Sequence, residues 1–448
     1  MHNYESRYPY EGKHHNHHLT CLSFFPVQTS AQVIYVAKQG DGLWQVSKKF
    51  NINVEEIAQM NGLHPSNQLV HGQALLLPGQ TYYVQPGESL WEISKRHSLT
   101  TQELKKHNNL SSDILVPEQM LSIPKSEKMS IWAGKYFLPS NVKEDKQAID
   151  QYQSLLSGLF LFEYHPDLNG NLSALNDQQT INYAWKRDIT PYATITNLSE
   201  DGFDPQLARE LLSKPNKRSL LIQNIYSLLR EKDFKGVVID FEGLDSPDRV
   251  IMNTFMKELT QKLHSHNMEV HVTAPPMRSD HLPSHNAAYD YEVLGRYVDK
   301  IFLMTYDWHW PGGPSGPIAP LPKVRETLDY AVSVIPRSKI MLGIPMYAYN
   351  WTLSKDGVTG TAHSAKLVDD LFLKHESEIH YDFTSSSPWF RYKDRTGKTH
   401  EVWFEDSRSL LAKYRLVKEY NIAGMGCWKL GLSIPQAELM QLEEFNTE

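Results

Sequence analysis

The chain has 448 residues, of which 40% are apolar and 22% charged, with 2 cysteines, and this composition excludes a disordered chain, a collagen-like chain and a disulfide scaffold. A formal net charge of −7 spread along the chain argues against nucleic acid or anionic lipid as main partners. No run approaches the ~18 uninterrupted apolar residues of a membrane span, and the length suggests about three domains.

Residues 1–32 are polar and His-rich (Lys13-His14-His15-Asn16-His17-His18), then carry the short run Leu19–Val27, interrupted by Pro26. A signal peptide needs a cationic start and a longer apolar stretch, so Thr29-Ser30-Ala31 is only a passable cleavage site. The histidines could bind a metal, but a solvated tail without function is the expectation. Cys21 and Cys427 sit in unlike contexts and are not expected to pair.

An internal repeat follows over residues 33–79 and 80–125. Tyr35-Val36 and Gly40-Asp41-Gly42-Leu43-Trp44 align with Tyr82-Tyr83 and Gly87-Glu88-Ser89-Leu90-Trp91 at an offset of 47, and Asn61-Gly62-Leu63 aligns with Asn108-Asn109-Leu110. Each unit reads as a strand, a Gly-acidic turn, an amphipathic helix, a second helix (Val54–Met60 or Thr101–His107) and a closing strand before a proline. Such a unit is near the lower size limit of a domain and too small for an enzymatic cleft, so it should bind rather than catalyse. The pattern resembles the LysM module, which recognises N-acetylglucosamine (GlcNAc)-containing glycans. That resemblance implies sugar contacts at Gly40, Asp41, Gly42, Gly87, Glu88 and Ser89, with the facing loops at 61–64 and 108–111. These positions also read as plain turn and cap residues.

Residues 126–448 alternate short β-branched or aromatic runs with helical stretches, which is the βα pattern of a parallel sheet. Eight strands are expected: Ile131–Leu138, Ser157–Tyr164, Tyr192–Asn197, Gly236–Glu242, Glu269–Ala274, Lys300–Tyr306, Lys339–Pro345 and Ile422–Trp428. That count fits an α/β fold, a (β/α)8 TIM barrel, and the length beyond the ~250 residues typical of that fold leaves room for an insertion. A small α+β insertion is expected between the seventh and eighth strands, about 346–421, where two strand-like pieces flank the turn Asp394-Arg395-Thr396-Gly397. Alternation along the fourth strand points Val238, Asp240 and Glu242 to one face, which would set two carboxyls side by side at the C-terminal mouth of the barrel. Paired acids in such a place are costly to bury and suit acid–base chemistry.

That strand, Gly236-Val237-Val238-Ile239-Asp240-Phe241-Glu242, resembles the Asp-Gly-x-Asp-x-Asp-x-Glu signature of glycoside hydrolase family 18. Met304-Thr305-Tyr306-Asp307, Gly343-Ile344-Pro345-Met346-Tyr347 and Gly426-Cys427-Trp428 resemble that family's motifs on the sixth, seventh and eighth strands. Joined to paired LysM modules, the barrel most resembles the bacterial spore cortex-lytic and germination glycosylases. The sequence departs from the signature at Lys235, where the family has Asp, and at Val238, where it has Asp or, in some relatives, Asn. Without a polar partner at Val238, Asp240 is expected to face outward, with reduced turnover.

The resemblance implies a retaining N-acetylglucosaminidase acting on peptidoglycan, in which the substrate's own acetamido group is the nucleophile. Glu242 would be acid and base, Asp240 would hold the acetamido N–H and Tyr306 would donate to its carbonyl. Asp307, Met304, Tyr347 and Trp428 would line the sugar site. No metal or other cofactor is implied, and a monomer in the spore envelope is expected, with secretion to the cell wall as the alternative. A chitinase and a non-catalytic glycan-binding envelope protein are the competing functions. Met304 also reads as core, Trp308 and Trp310 read equally as sugar platforms or loop packing, and Cys427 reads as a small buried hydrophobe.

Overall fold

The computed structural model describes residues 32–279, 287–354 and 357–448. The His-rich tail, its cleavage-site tripeptide and Cys21 lie outside the described residues.

Eight parallel strands close into a barrel: Met129–Phe137, Gly158–Tyr164, Thr190–Thr196, Gly236–Asp240, Glu269–Ala274, Lys300–Leu303, Ile340–Pro345 and Gly424–Trp428. Closure comes from the eighth strand pairing with the first, Gly424 opposite Trp132. All eight expected strands are present. The fourth and sixth stop earlier than the apolar pattern suggests, so Glu242 and Tyr306 stand in the loops just beyond their strands. A short strand, Phe445–Thr447, adds to the start of the first.

Alternation along each strand builds two separate cores. Val238 points inward to meet Tyr136, Phe160, Phe162, Tyr192, Phe302 and Met341. Val237 and Ile239 point outward to a layer that includes Phe255, Met256 and Leu259. The last three belong to the helix Arg249–His264, whose buried residues Met252, Phe255, Met256, Leu259 and Leu263 recur at helical spacing. Local chemistry sets the helix starts as well. Asp204 accepts from the Gln206 and Leu207 amides at 2.9 and 3.0 Å and precedes Pro205 in the first turn of Pro205–Ser213.

Between the seventh and eighth strands, five antiparallel strands lie in the order Gly357–Ser364, Tyr347–Ser354, Thr399–Trp403, Ser387–Lys393, His380–Asp382, with the helix Ala365–Lys374 beside them. The turn at Asp394–Gly397 closes the central hairpin: the Asp394 carboxylate accepts the Thr396 and Lys398 amides, and Gly397 has φ +82°. This insertion is shorter than the sequence suggests. The helix Ser407–Tyr420 falls within 346–421 yet buries Leu410, Tyr414, Leu416 and Val417 in the main barrel core.

The repeat forms two βααβ units. In the first, Gln32–Val36 pairs antiparallel with Ala74–Pro78; in the second, Thr81–Tyr83 pairs with Met120–Ser122. Asn61 and Asn108 do the same work in each unit. Each amide donates to a helix carbonyl and to the closing strand, and each takes back one strand amide, Leu76 or Ser122, at 2.7 Å. The units share one core in which Val33, Leu43 and Ile57 join Val84, Leu90 and Ile93. His97 locks them together, accepting the Ile34 amide at Nε2 while Nδ1 meets the Ile93 carbonyl, each at 2.9 Å. Burial drives the His97 pKa down to about 3, so the ring is neutral, as this donor–acceptor pair requires. The pair of units is also docked on the barrel. Gln436 donates to Asn61 and to the Ala74 carbonyl, Arg408 to the Gly72 carbonyl and Arg415 to the Ser98 carbonyl.

Candidate active site

The mouth of the barrel gathers the side chains that the motifs single out. Asp240 ends the fourth strand with 4% of its surface exposed, and its carboxyl accepts the Thr273 hydroxyl from the fifth strand. Val238 beneath it is fully buried among aromatics. The polar partner absent at position 238 is thus supplied one strand over, a contact that the outward orientation expected from sequence did not foresee. Burial pushes the Asp240 pKa up to about 7; the Thr273 hydrogen bond opposes this, and the Glu163 carboxylate adds to it.

Glu242 is half-buried, and its backbone is clamped from the third strand's end. Asn197 accepts the Glu242 amide at 2.8 Å and donates to its carbonyl at 2.9 Å. The clamp fixes the turn while leaving the Glu242 carboxyl out of the bond.

Three phenols ring the two acids. Tyr306 is raised well above the ordinary tyrosine pKa by burial and then by the charges of Asp307, Asp240 and Glu242. Tyr136 is raised by burial and by Asp240, and Tyr289 by burial and by Glu242 and Asp240. Each therefore keeps its proton and can only donate or remain neutral beside the acids. Tyr289 also donates to the Phe241 carbonyl, which holds the segment between Asp240 and Glu242.

Asp307 has φ +61°, a left-handed conformation that Asp tolerates better than most residues. Its Oδ1 accepts both the Tyr347 and Tyr349 hydroxyls at 2.7 Å, tying the mouth to the insertion's first strand. Trp428 ends the eighth strand half-buried, its ring 4.7 Å from Phe162 and 5.3 Å from Tyr136. Met304 is half-buried against the same inner cluster. Trp308 and Trp310 pack against the main core, and Cys427 is buried, its thiol pushed up by burial. Among the described residues, no group of three His, Cys, Asp or Glu side chains is placed to hold a metal ion. No helix among them is long and apolar enough to cross a membrane.

The structure thus brings Asp240, Glu242, Tyr306, Asp307, Tyr347, Met304 and Trp428 to one end of the barrel. Glu163, Thr196, Asn197, Thr273, Tyr136 and Tyr289 join them, and sequence reasoning singled out none of these six.

In the small units the acidic turn residues face inward. Asp41 accepts the Tyr35 hydroxyl and the Lys38 amide. Glu88 is buried against Arg96 at 2.7 Å and accepts the Tyr82 hydroxyl and the Gln85 amide. Ser89 caps the helix Leu90–Arg96 in a reciprocal box with Glu92, whereas Gly42 gives the first unit's helix no side-chain cap. Gly40 and Gly87 are exposed, with φ +86° and +80°. Trp44 and Trp91 sit on the first helix of each unit, 62% and 46% exposed, and Trp91 meets Phe383 of the insertion at 5.0 Å. Replacing Ser89 by Ala should cost about 1 kcal/mol of local stability. Hydrogen exchange at the Leu90–Glu92 amides should then speed up about five-fold, while the first unit's helix stays unchanged.

The sequence model described as Glycosyl hydrolases family 18 matches residues 201–432, and the LysM domain model matches 35–78 and 82–124. The chain belongs to glycosyl hydrolase family 18. This family 18 glycoside hydrolase carries two LysM domains on its N-terminal side and handles GlcNAc-containing glycans. Over 421 residues it is 36% identical to the cortical fragment-lytic enzyme of Bacillus anthracis, covering 92% of this chain and 98% of that protein. The cortical fragment-lytic enzyme of Bacillus subtilis (strain 168) is also 36% identical, over 422 residues, with 92% and 98% covered. The crystal structure of the Bacillus cereus spore cortex-lytic enzyme SleL superposes with a TM-score of 0.84 at 34% identity, over 93% of this chain and 99% of that one.

Proposed function

We propose that this enzyme is a spore cortex peptidoglycan hydrolase, a retaining N-acetylglucosaminidase located in the spore envelope. The observation that carries the reading is the convergence of Asp240, Glu242 and Tyr306 at one barrel mouth, in a chain alignable over nearly its whole length with cortical fragment-lytic enzymes. Residues 33–79 and 80–125 act as glycan-binding units, and residues 126–448 act as a monomeric catalytic barrel.

Glu242 gives its proton to the glycosidic oxygen as the bond to the anomeric carbon breaks. The acetamido carbonyl oxygen of the same sugar bonds to that carbon, forming an oxazolinium ion. Asp240 accepts from the acetamido N–H and balances the positive charge, and Tyr306, which keeps its proton, donates to the carbonyl oxygen. Water then attacks the anomeric carbon as the bond to the acetamido oxygen breaks and the acetamide is restored, one water proton passes to the Glu242 carboxylate, and configuration is retained. Trp428 is the apolar floor under the ring, with Met304, Asp307 and Tyr347 around it. With the Asp41, Glu88 and Ser89 side chains engaged inside their own units, glycan contacts in the LysM turns fall to the exposed backbone around Gly40 and Gly87. Gly42 flanks the first of these turns. Two such units raise the effective concentration of an insoluble polymer at the barrel.

The test is a comparison of substrates. Purified protein is incubated with cortical muropeptides and, separately, with chitin oligosaccharides, and products are read by mass spectrometry. The expected result is new reducing-end GlcNAc from the cortical material, released faster than from chitin. Turnover of chitin with none of cortex would overturn the cortical assignment.

A further inference from the structure

Besides Asp240, Glu242 and Asp307, the barrel mouth holds a carboxylate for which the mechanism above has no role. Glu163 lies near the end of the second strand with 11% of its side chain exposed. Thr196, at the end of the third strand, donates its hydroxyl to Glu163 Oε2 at 2.8 Å, and His165 Nε2 stands 3.4 Å from Oε1. Thr196 is also the register partner of Asp240 on the fourth strand. Glu163, Thr196 and Asp240 therefore occupy three adjacent strands at the level of the mouth.

Nothing polar lies beneath Asp240 on its own strand, since that position is Val238. The titratable groups facing Asp240 are Tyr136 from the first strand, Glu163 from the second, Tyr289 from the segment after the fifth and Tyr306 after the sixth, with Glu242 on its own segment. His165 stands behind Glu163, Asp248 behind Tyr289, and Asp307 and Cys427 behind Tyr306. The phenols stay neutral. Burial is the larger obstacle to ionising Asp240, and the negative charge of Glu163 is the second. Like charges in a poorly solvated pocket resist each other strongly.

We propose that Glu163 is a positioning residue of the hydrolysis: its carboxylate, anchored by Thr196 and His165, governs how readily Asp240 ionises and so sets the acidic side of the enzyme's pH range. The inference rests on the assignment of Asp240 above, because Asp240 must be a carboxylate to balance the oxazolinium charge. The sign follows directly. An anion at Glu163 opposes a second anion at Asp240, so removing it lets Asp240 ionise at lower pH.

The experiment is kcat/KM against pH on soluble cortical muropeptides for the wild type, Glu163→Gln, Glu163→Asp and Glu242→Gln. In Glu163→Gln the acidic limb should move down by about half a pH unit or more, raising the ratio of kcat/KM at about pH 6 to that at about pH 8 roughly three-fold. Glu163→Asp keeps the charge and should keep the limb. An unmoved limb in Glu163→Gln, with Glu242→Gln inactive, overturns the proposal and leaves the site assignment standing. An active Glu242→Gln overturns the site assignment itself. Should Glu163→Gln fail to fold, His165→Lys sets a permanent cation against the same carboxylate from a position 39% exposed. It must move the limb down as well, and an unmoved limb there is equally fatal.

Discussion

Glu242→Gln should lower kcat on cortical muropeptides by about 10²–10⁴-fold, the usual worth of a positioned general acid, with little change in KM. The substitution exchanges an ionisable oxygen for an amide of the same shape. The contacts that fix the turn are untouched, because Asn197 holds the Glu242 amide and carbonyl rather than its side chain. Tyr289 pins the neighbouring Phe241 carbonyl in the same way. Substrate should therefore still bind, and the lost function is proton delivery to the leaving oxygen. Steady-state kinetics paired with a direct binding measurement separates the two. A variant within ten-fold of wild type would mean that another group protonates the leaving sugar.

The barrel was legible because parallel strands, buried on both faces, read as near-continuous apolar runs between helical stretches. Strand ends at the mouth were less so. The alternating pattern of Gly236–Glu242 continues past Asp240, although the ladder stops there, since a residue aimed at a substrate cleft and one aimed at a barrel core keep the same periodicity. Residues carrying a resemblance could be placed, whereas their supports could not. Asn197 and Thr273 are polar residues at or near the ends of their strands that meet Glu242 and Asp240 only after the barrel closes, as Glu163 meets Thr196 of the next strand. A buried Asn following a strand's apolar run is the faint signal that could have identified Asn197. In the repeat the pattern placed Asp41 and Glu88 as turn residues, but a short acidic side chain in a turn has the same sequence signature whether it faces a sugar or its own module.

That ambiguity has an experimental answer at Glu88. Its carboxylate accepts the Tyr82 hydroxyl at 2.8 Å, the Gln85 amide at 2.9 Å and Arg96 Nη2 at 2.7 Å, with both charged side chains at most 8% exposed. Arg96 also donates to the Tyr82 hydroxyl at 2.7 Å and lies over its ring. Glu88→Ala leaves the guanidinium buried without its counter-charge, a loss of about 3–5 kcal/mol. The first unit has no equivalent pair. Position 49 there is Lys, which reaches across to Gln85 and Glu118 of the second unit, and Asp41 takes only hydrogen bonds from Tyr35 and Lys38. Asp41→Ala should therefore cost only about 0.5–1.5 kcal/mol, the net worth of an ordinary hydrogen bond. Hydrogen exchange across residues 81–123, measured beside retention on cortical sacculi, distinguishes support from sugar contact. Glu88→Ala should lose amide protection and glycan retention together. Full protection with retention lost would make Glu88 a sugar ligand instead.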